Sequence, residues 1–136
     1  MVILFRGIAG SGKSSLAEAY RNGNFPMKSS PAIDFMQRLL QTTRNHEKLT
    51  FSADDFFMTD TGEYRFVPKD LSVAHQTCLR KYVEEVKKSN RTGASALLVD
   101  NTNCSIAECS PYMALAGAYG HELHVVRSEE HTSELQ

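Results

Sequence analysis

Short apolar runs alternate along this chain with segments of helical period. Residues 2–5 form a continuous apolar run, and residues 94–99 form an apolar run broken only by Ser95; both are of the kind that forms strands buried on both faces. Residues 48–53 alternate in part between apolar and polar positions, and residues 121–126 return to a strand-like composition. The pattern therefore predicts four strands spread over the whole chain.

Helical patterns fill the segments between these strands. The strongest covers residues 71–86, where apolar side chains recur at i, i+3, i+4 and i+7 while lysine and glutamate take the other face. Weaker helical patterns cover residues 14–20, 33–40 and 105–119. Within the last of these, we expect Pro111 to interrupt the helix near its start, because proline lacks the backbone N–H.

Strands that alternate with helices predict an α/β fold, a three-layer αβα sandwich around a mostly parallel sheet of about four strands. Ligands of such sheets bind beyond the carboxyl ends of the strands. Three polar segments follow predicted strands directly, at residues 7–15, 54–55 and 100–103. We expect them to meet at one edge of the sheet.

The first of these segments is a glycine-rich loop. Gly7, Gly12, Lys13 and Ser14 match the pattern G-x-x-x-x-G-K-S/T of a P-loop, which makes the predicted fold that of a P-loop NTPase. In this motif backbone N–H groups surround the phosphates of ATP or GTP, the lysine neutralises them, and the hydroxyl binds Mg²⁺. A glycine turn without a ligand is the alternative, although such a turn has no use for a lysine. The predicted nucleotide contacts are Gly7, Ala9, Gly10, Ser11, Gly12, Lys13, Ser14 and Ser15.

Carboxylates end the second and third predicted strands. Asp54 or Asp55 could accept the proton of an attacking hydroxyl, and we place both near the substrate. The alternative for this pair is a helix N-cap followed by an acidic first turn. Asp100 is expected to help Ser14 hold Mg²⁺, and its alternative is a turn-forming aspartate.

Composition limits the other classes of function. The chain has 15 basic and 16 acidic residues, a net charge of −1, so no overall field attracts nucleic acid. Three cysteines without a C-x-x-C pattern argue against a disulfide framework and a zinc site. No signal peptide or membrane-length apolar stretch is present, which predicts a cytoplasmic or nuclear protein without membrane contact. The sequence identifies no protein partner.

Beyond the P-loop, several segments resemble the polynucleotide-kinase-like P-loop family. This family includes the phage-type 5′-hydroxyl polynucleotide kinases and the AAA-domain proteins of the Nedd-four-binding-protein-two-like group. The resemblance implies that Asp54 is the general base for a 5′-hydroxyl. Lys13, which neutralises the phosphates, is the other predicted catalytic residue. The resemblance also places Thr102 and Asn103 near the acceptor. The matching segments are residues 5–14, 52–57, 62–66, 71–76, 99–103 and 111–115.

The chain departs from that family in three places. Phage-type kinases have an arginine three positions after the base, where this chain has Phe57. The stretch of residues 22–48 looks longer than the usual link between the first helix and the second strand. Family members continue into a helix whose arginines close over the phosphates, whereas residues 127–136 look like a translated sequencing adapter. We expect a kinase-like domain over residues 1–126 and a non-native tail after it, without the lid.

Three functions remain open at this point. The first is an ATP-dependent kinase that phosphorylates a hydroxyl, most plausibly the 5′-OH at a nucleic acid end. The second uses the same donor site with a small acceptor such as a nucleoside or a sugar. The third is a nucleotide-binding adaptor without turnover, which Phe57 and the missing arginines favour.

Overall fold

A five-stranded sheet forms the centre of the protein, in a computed structural model that describes residues 1–6, 13–25, 31–92, 95–101, 106–127 and 132–135. The strand order is β2-β3-β1-β4-β5, and the first four strands are parallel. The fifth runs antiparallel to β4. The strands are β1 (Val2–Arg6), β2 (Glu47–Phe51), β3 (Ser95–Asp100), β4 (Leu123–Arg127) and β5 (Thr132–Leu135).

Helices cover both faces of this sheet, as the side chains that alternate between the two faces along β1 show. Val2 and Leu4 pack in one core cluster with side chains of the third and fourth helices. Ile3 and Phe5 point to the opposite face and pack against the first and second helices. The predicted three-layer αβα fold is therefore confirmed. The helices are α1 (Lys13–Asn22), α2 (Pro31–Thr42), α3 (Leu71–Thr92) and α4 (Ile106–Ala118).

Helix α4 continues through its proline. Pro111 lies inside the helix, so the prediction that it would interrupt the helix was wrong. Cys109, Tyr112 and Ala116 are buried on either side of it, and the Tyr82 hydroxyl donates a hydrogen bond of 2.8 Å to the Tyr112 carbonyl. Packing against the sheet and α3 thus offsets the hydrogen bond that the proline ring cannot donate.

The two adjacent phenylalanines after β2 face different surroundings. Phe57 is buried, at 5% exposure, whereas Phe56 is 41% exposed. They lie in a 3₁₀ helix, Ala53–Phe57, which has three residues per turn. Neighbouring side chains on such a turn cannot share one face, so Phe56 remains at the surface.

The sheet contains one strand more than predicted. β5 lies within residues 127–136, the segment that the sequence marks as non-native, and pairs along the outer edge of β4. That the tail is non-native stays a prediction, which the genomic sequence downstream of Val126 would decide. Within the described part of the chain, no helix combines the length and apolar character needed to cross a bilayer.

Candidate functional site

Three parallel strands bring their carboxyl ends to one edge of the sheet. β1 leads into the glycine loop, β2 into the Asp54-Asp55 segment, and β3 into Asn101. Residues 7–12 of the loop lie outside the described residues, as do Thr102 and Asn103. Helix α1 begins at Lys13, so the backbones of Ser14 and Ser15 form its first turn. The free N–H groups of a helix N-terminus favour an anion at this position.

Asp100 lies at the middle of this edge. It is the last residue of β3 and pairs in register with Phe5, which stands two positions before the glycine loop. The residue is 9% exposed. Its strand is buried along its whole length, so the position of the carboxylate is fixed by the sheet rather than by a loop.

Asn101 connects the ends of β2 and β3. Its Oδ1 accepts a hydrogen bond of 2.8 Å from the Ala53 backbone N–H, and the residue is 2% exposed. Its Nδ2 lies 3.4 Å from the Tyr112 hydroxyl, which in turn donates to the Cys78 sulfur at 3.3 Å. Asn101 therefore fixes the position of the turn that carries Asp54 and Asp55. The sequence predicted that residues 100–103, Asn101 among them, lie at this edge, but the hydrogen bond by which Asn101 holds the turn has no signal in the sequence.

Asp54 is exposed on the first turn of the 3₁₀ helix. The cap of this helix is Ser52, whose Oγ accepts a hydrogen bond of 3.2 Å from the Asp54 backbone N–H. The N-cap role considered for the aspartates therefore belongs to Ser52. The Tyr64 hydroxyl donates to Asp54 Oδ1 at 3.2 Å. Local desolvation and the Asp54 carboxylate raise the pKa of the Tyr64 phenol, which keeps it a hydrogen-bond donor.

Asp55 lines a cleft of about 150 Å³ between the end of β2 and helix α3. Thr77, Cys78 and Lys81 line the same cleft from the helix side. Partial burial raises the pKa of the Asp55 carboxyl, and the Lys81 ammonium opposes this shift. The neighbouring carboxylates Asp54 and Asp100 raise the pKa further. The sequence analysis did not assign Lys81 to this site, because a lysine on a charged helix face carries no local signal.

The residues at this edge fit a magnesium ion bound together with a triphosphate. Mg²⁺ usually binds through one or two carboxylates, with phosphate oxygens and water as its other ligands. Asp100 supplies one buried carboxylate beside the strand that leads to the loop. Among the described residues there is no group of three His, Cys, Asp or Glu side chains able to hold a metal by itself. A site completed by the nucleotide does not require one.

These features define the class of the protein as a P-loop kinase-like α/β protein. The chain belongs to the AAA domain family, which matches residues 2–135. It is 29% identical over 123 residues to human (Homo sapiens) NEDD4-binding protein 2, a match that covers 90% of this chain. The chain spans only 6% of the length of that relative.

Solved structures of other proteins resemble this chain at low sequence identity and with TM-scores below 0.5. A cysteine-to-alanine mutant of the Mycobacterium tuberculosis APS kinase CysC has a TM-score of 0.49 and 14% identity, covering 94% of this chain and 74% of that chain. The same kinase in complex with AMPPNP and APS has a TM-score of 0.47 and 14% identity, covering 94% of this chain and 61% of that chain. Chloroplast FtsY from Physcomitrella patens has a TM-score of 0.41 and 12% identity, covering 90% of this chain and 38% of that chain.

Removing the Asn101 side chain should weaken the protein and loosen the Asp54 turn. In Asn101→Ala the buried Ala53 N–H loses its acceptor, so we expect a loss of about 1–3 kcal/mol in the free energy of unfolding. Urea denaturation measures this loss. The control is Asn22→Ala, which makes the same change at an exposed position and should stay within about 0.5 kcal/mol of wild type. Equal stability of the two variants would contradict the role given to Asn101.

Neutralising Asp55 should stabilise the protein at neutral pH. Because the Asp55 pKa is raised on folding, the folded state binds more protons, and stability falls as pH rises through the window between the unfolded and folded pKa values. Asp55→Asn should therefore have a higher Tm than wild type at pH 7. The difference should disappear at about pH 3.5, below the ordinary aspartate pKa of about 3.9. A lower Tm for the variant at pH 7 would contradict the desolvation of this carboxyl.

Proposed function

We propose that this chain binds a nucleoside triphosphate, ATP or GTP, and transfers its γ-phosphate to a hydroxyl. One observation carries the proposal, the meeting of β1, β2 and β3 at a single edge. There the glycine loop follows β1, Asp54 follows β2 and Asp100 ends β3. A triphosphate, a proton acceptor and a magnesium ligand are the components that phosphoryl transfer requires. The reaction fits the cytoplasmic or nuclear location expected from the sequence.

The donor side uses the P-loop residues. Gly7, Ala9, Gly10, Ser11 and Gly12 contact the phosphates through backbone N–H groups, and Ser14 and Ser15 extend these contacts into the first turn of α1. The Lys13 ammonium neutralises charge that develops on the phosphate oxygens. Ser14 and Asp100 are the residues that would hold Mg²⁺. When bound, the ion neutralises charge on the β- and γ-phosphates.

On the acceptor side, Asp54 takes the proton of the attacking hydroxyl. It is exposed, it follows β2 at the sheet edge where the glycine loop follows β1, and it already accepts a hydrogen bond from a hydroxyl group, that of Tyr64. An acceptor hydroxyl in the same position would meet the same carboxylate. Asp55, Thr102 and Asn103 are proposed to contact the acceptor around it. The resemblance to polynucleotide kinases favours a nucleic acid 5′-OH, and a nucleoside or sugar is the alternative acceptor.

A non-catalytic adaptor is the second candidate, and the position of Phe57 favours it. Phage-type kinases carry an arginine at this place, whereas the Phe57 ring is buried in the core cluster below the site. No cation can act from that position. The adaptor and the kinase share the donor site, so turnover distinguishes them.

Asp54 should be required for phosphate transfer and dispensable for nucleotide binding. In Asp54→Asn the side chain keeps its size but no longer accepts the proton, so we expect transfer to fall about 10²- to 10⁴-fold. The measurement is label transfer from γ-labelled ATP to a 5′-OH oligonucleotide and to a free nucleoside. Asp60→Asn, in the exposed turn after the site, is the control and should transfer normally. Equal transfer by wild type and Asp54→Asn would remove Asp54 from the mechanism.

Lys13 should be required whether the protein is a kinase or a nucleotide-binding adaptor. Lys13→Ala removes the cation that faces the phosphates, so we expect at least about a hundredfold loss of turnover and weaker binding of ATP. Calorimetry with ATP and with GTP, each with and without Mg²⁺, measures the binding. A wild-type protein that binds ATP without transferring phosphate to any acceptor would support the adaptor. A folded wild-type protein that binds neither nucleotide would contradict both candidates.

A further inference from the structure

The exposed large apolar side chains concentrate beside Asp54. Across the parts of the chain that the structure describes, these side chains all fall within residues 56–73. Soluble proteins scatter such residues singly, and a cluster of them marks an interaction surface. The members are Phe56, Met58, Tyr64, Phe66, Leu71 and Val73, each between 41% and 50% exposed.

A short hairpin holds the aromatic members of this cluster in place. Met58 and Tyr64 form an antiparallel bridge, and the Arg65 backbone N–H donates to the Phe57 carbonyl at 2.8 Å. The turn between them closes at Gly62, which adopts φ +85°, a conformation open to glycine without strain. The exposed rings are therefore positioned before any ligand arrives.

Tyr64 and Phe66 present two nearly parallel rings at the surface. Their planes differ by 8° and their centroids lie 6.5 Å apart. The buried Phe57 ring supports both from below, with centroid distances of 6.2 Å to Tyr64 and 5.0 Å to Phe66 and tilted contacts at 73° and 66°. We call Phe57, Tyr64 and Phe66 the aromatic platform. About half of each outer ring is open to solvent.

The platform is joined directly to the proposed catalytic base. The Tyr64 hydroxyl at the end of one ring donates to Asp54 Oδ1. A flat ligand stacked on the Tyr64 ring therefore needs a substituent only about as long as one sugar to reach the Asp54 carboxylate. A nucleoside has this form, a flat ring connected through a ribose to a 5′-hydroxyl.

We propose that the aromatic platform stacks the terminal nucleobase of the acceptor and so presents its 5′-hydroxyl to Asp54. This inference rests on the proposed function and names the acceptor class of the same site. Every nucleobase has a π-face, so stacking on Tyr64 and Phe66 binds acceptors of any sequence. The site then takes a terminal nucleoside of an oligonucleotide, and a sugar without a base fits it poorly.

Charge around the platform favours a base and a free hydroxyl over a phosphate track. The exposed Arg65 guanidinium is paired with Glu63 at 3.1 Å, and the Asp54 carboxylate accepts the hydrogen bond of the Tyr64 hydroxyl. Carboxylates repel a 5′-phosphate and accept a hydrogen bond from a 5′-hydroxyl. The platform therefore selects an unphosphorylated end, and binding should depend only weakly on salt because few phosphates are neutralised.

Direct binding tests the platform without relying on turnover. A short 5′-OH oligonucleotide is compared with the same strand carrying an abasic 5′-terminal residue, using fluorescence anisotropy and the full chain. Wild type should bind the intact strand about tenfold or more tightly, and Phe66→Leu should lose this preference. Phe66→Tyr keeps an aromatic ring and should retain the preference. Val73→Ala, an exposed apolar residue outside the platform, is the matched control.

The outcomes separate this inference from the proposed function. Base-dependent binding that Phe66→Leu abolishes, without phosphate transfer, supports the platform and contradicts the kinase. Phosphate transfer to intact and abasic strands with equal KM supports the kinase and overturns the platform. Self-association that Phe66→Leu abolishes, with equal binding of both strands, assigns the surface to a second copy of the chain and also overturns it. If Phe66→Leu fails to fold, the comparison of intact and abasic oligonucleotides on the wild-type protein decides whether the platform binds a base.

Discussion

Strand β1 is hydrogen-bonded to parallel strands on both edges and buried on both faces, so its carboxyl end cannot move relative to β3 without breaking the ladder. This constraint fixes the end of β1 against Asp100. β2 pairs with β3 on its other edge, and the buried hydrogen bond between Ala53 and Asn101 continues this pairing beyond the strand. The end of β1 and the segment that carries Asp54 are therefore connected through the backbone ladder of the sheet and the Asn101 side chain.

The chain's periodicity was sufficient to predict the α/β architecture, because each strand and helix buries a face that its own sequence marks. The contacts that shape the site were not predictable in this way. Asn101 and Ala53 are 48 residues apart, and their hydrogen bond exists only once β2 and β3 are neighbours. Lys81 reaches the Asp55 cleft because α3 crosses the end of β2, and the spacing of charges along that helix does not reveal this.

One error came from a local rule that tertiary packing overrides. Proline usually ends a helix, yet residues of α4 on both sides of Pro111 are held against the sheet. Of the two adjacent aromatic residues after β2, the 3₁₀ geometry turns only Phe57 inward. That difference matters for the proposed acceptor site, because the buried Phe57 ring supports the Tyr64 and Phe66 rings of the aromatic platform.

The edge of the sheet collects like charges at a cost to stability. Partial burial raises the pKa of the Asp55 carboxyl, and the neighbouring carboxylates Asp54 and Asp100 raise it further. A protein selected for stability alone would replace one of these carboxylates by an amide. Lys81 and Arg21 reduce the repulsion without removing it. A bound cation would reduce it further, which is a physical reason to expect that the proposed Mg²⁺ would stabilise this edge.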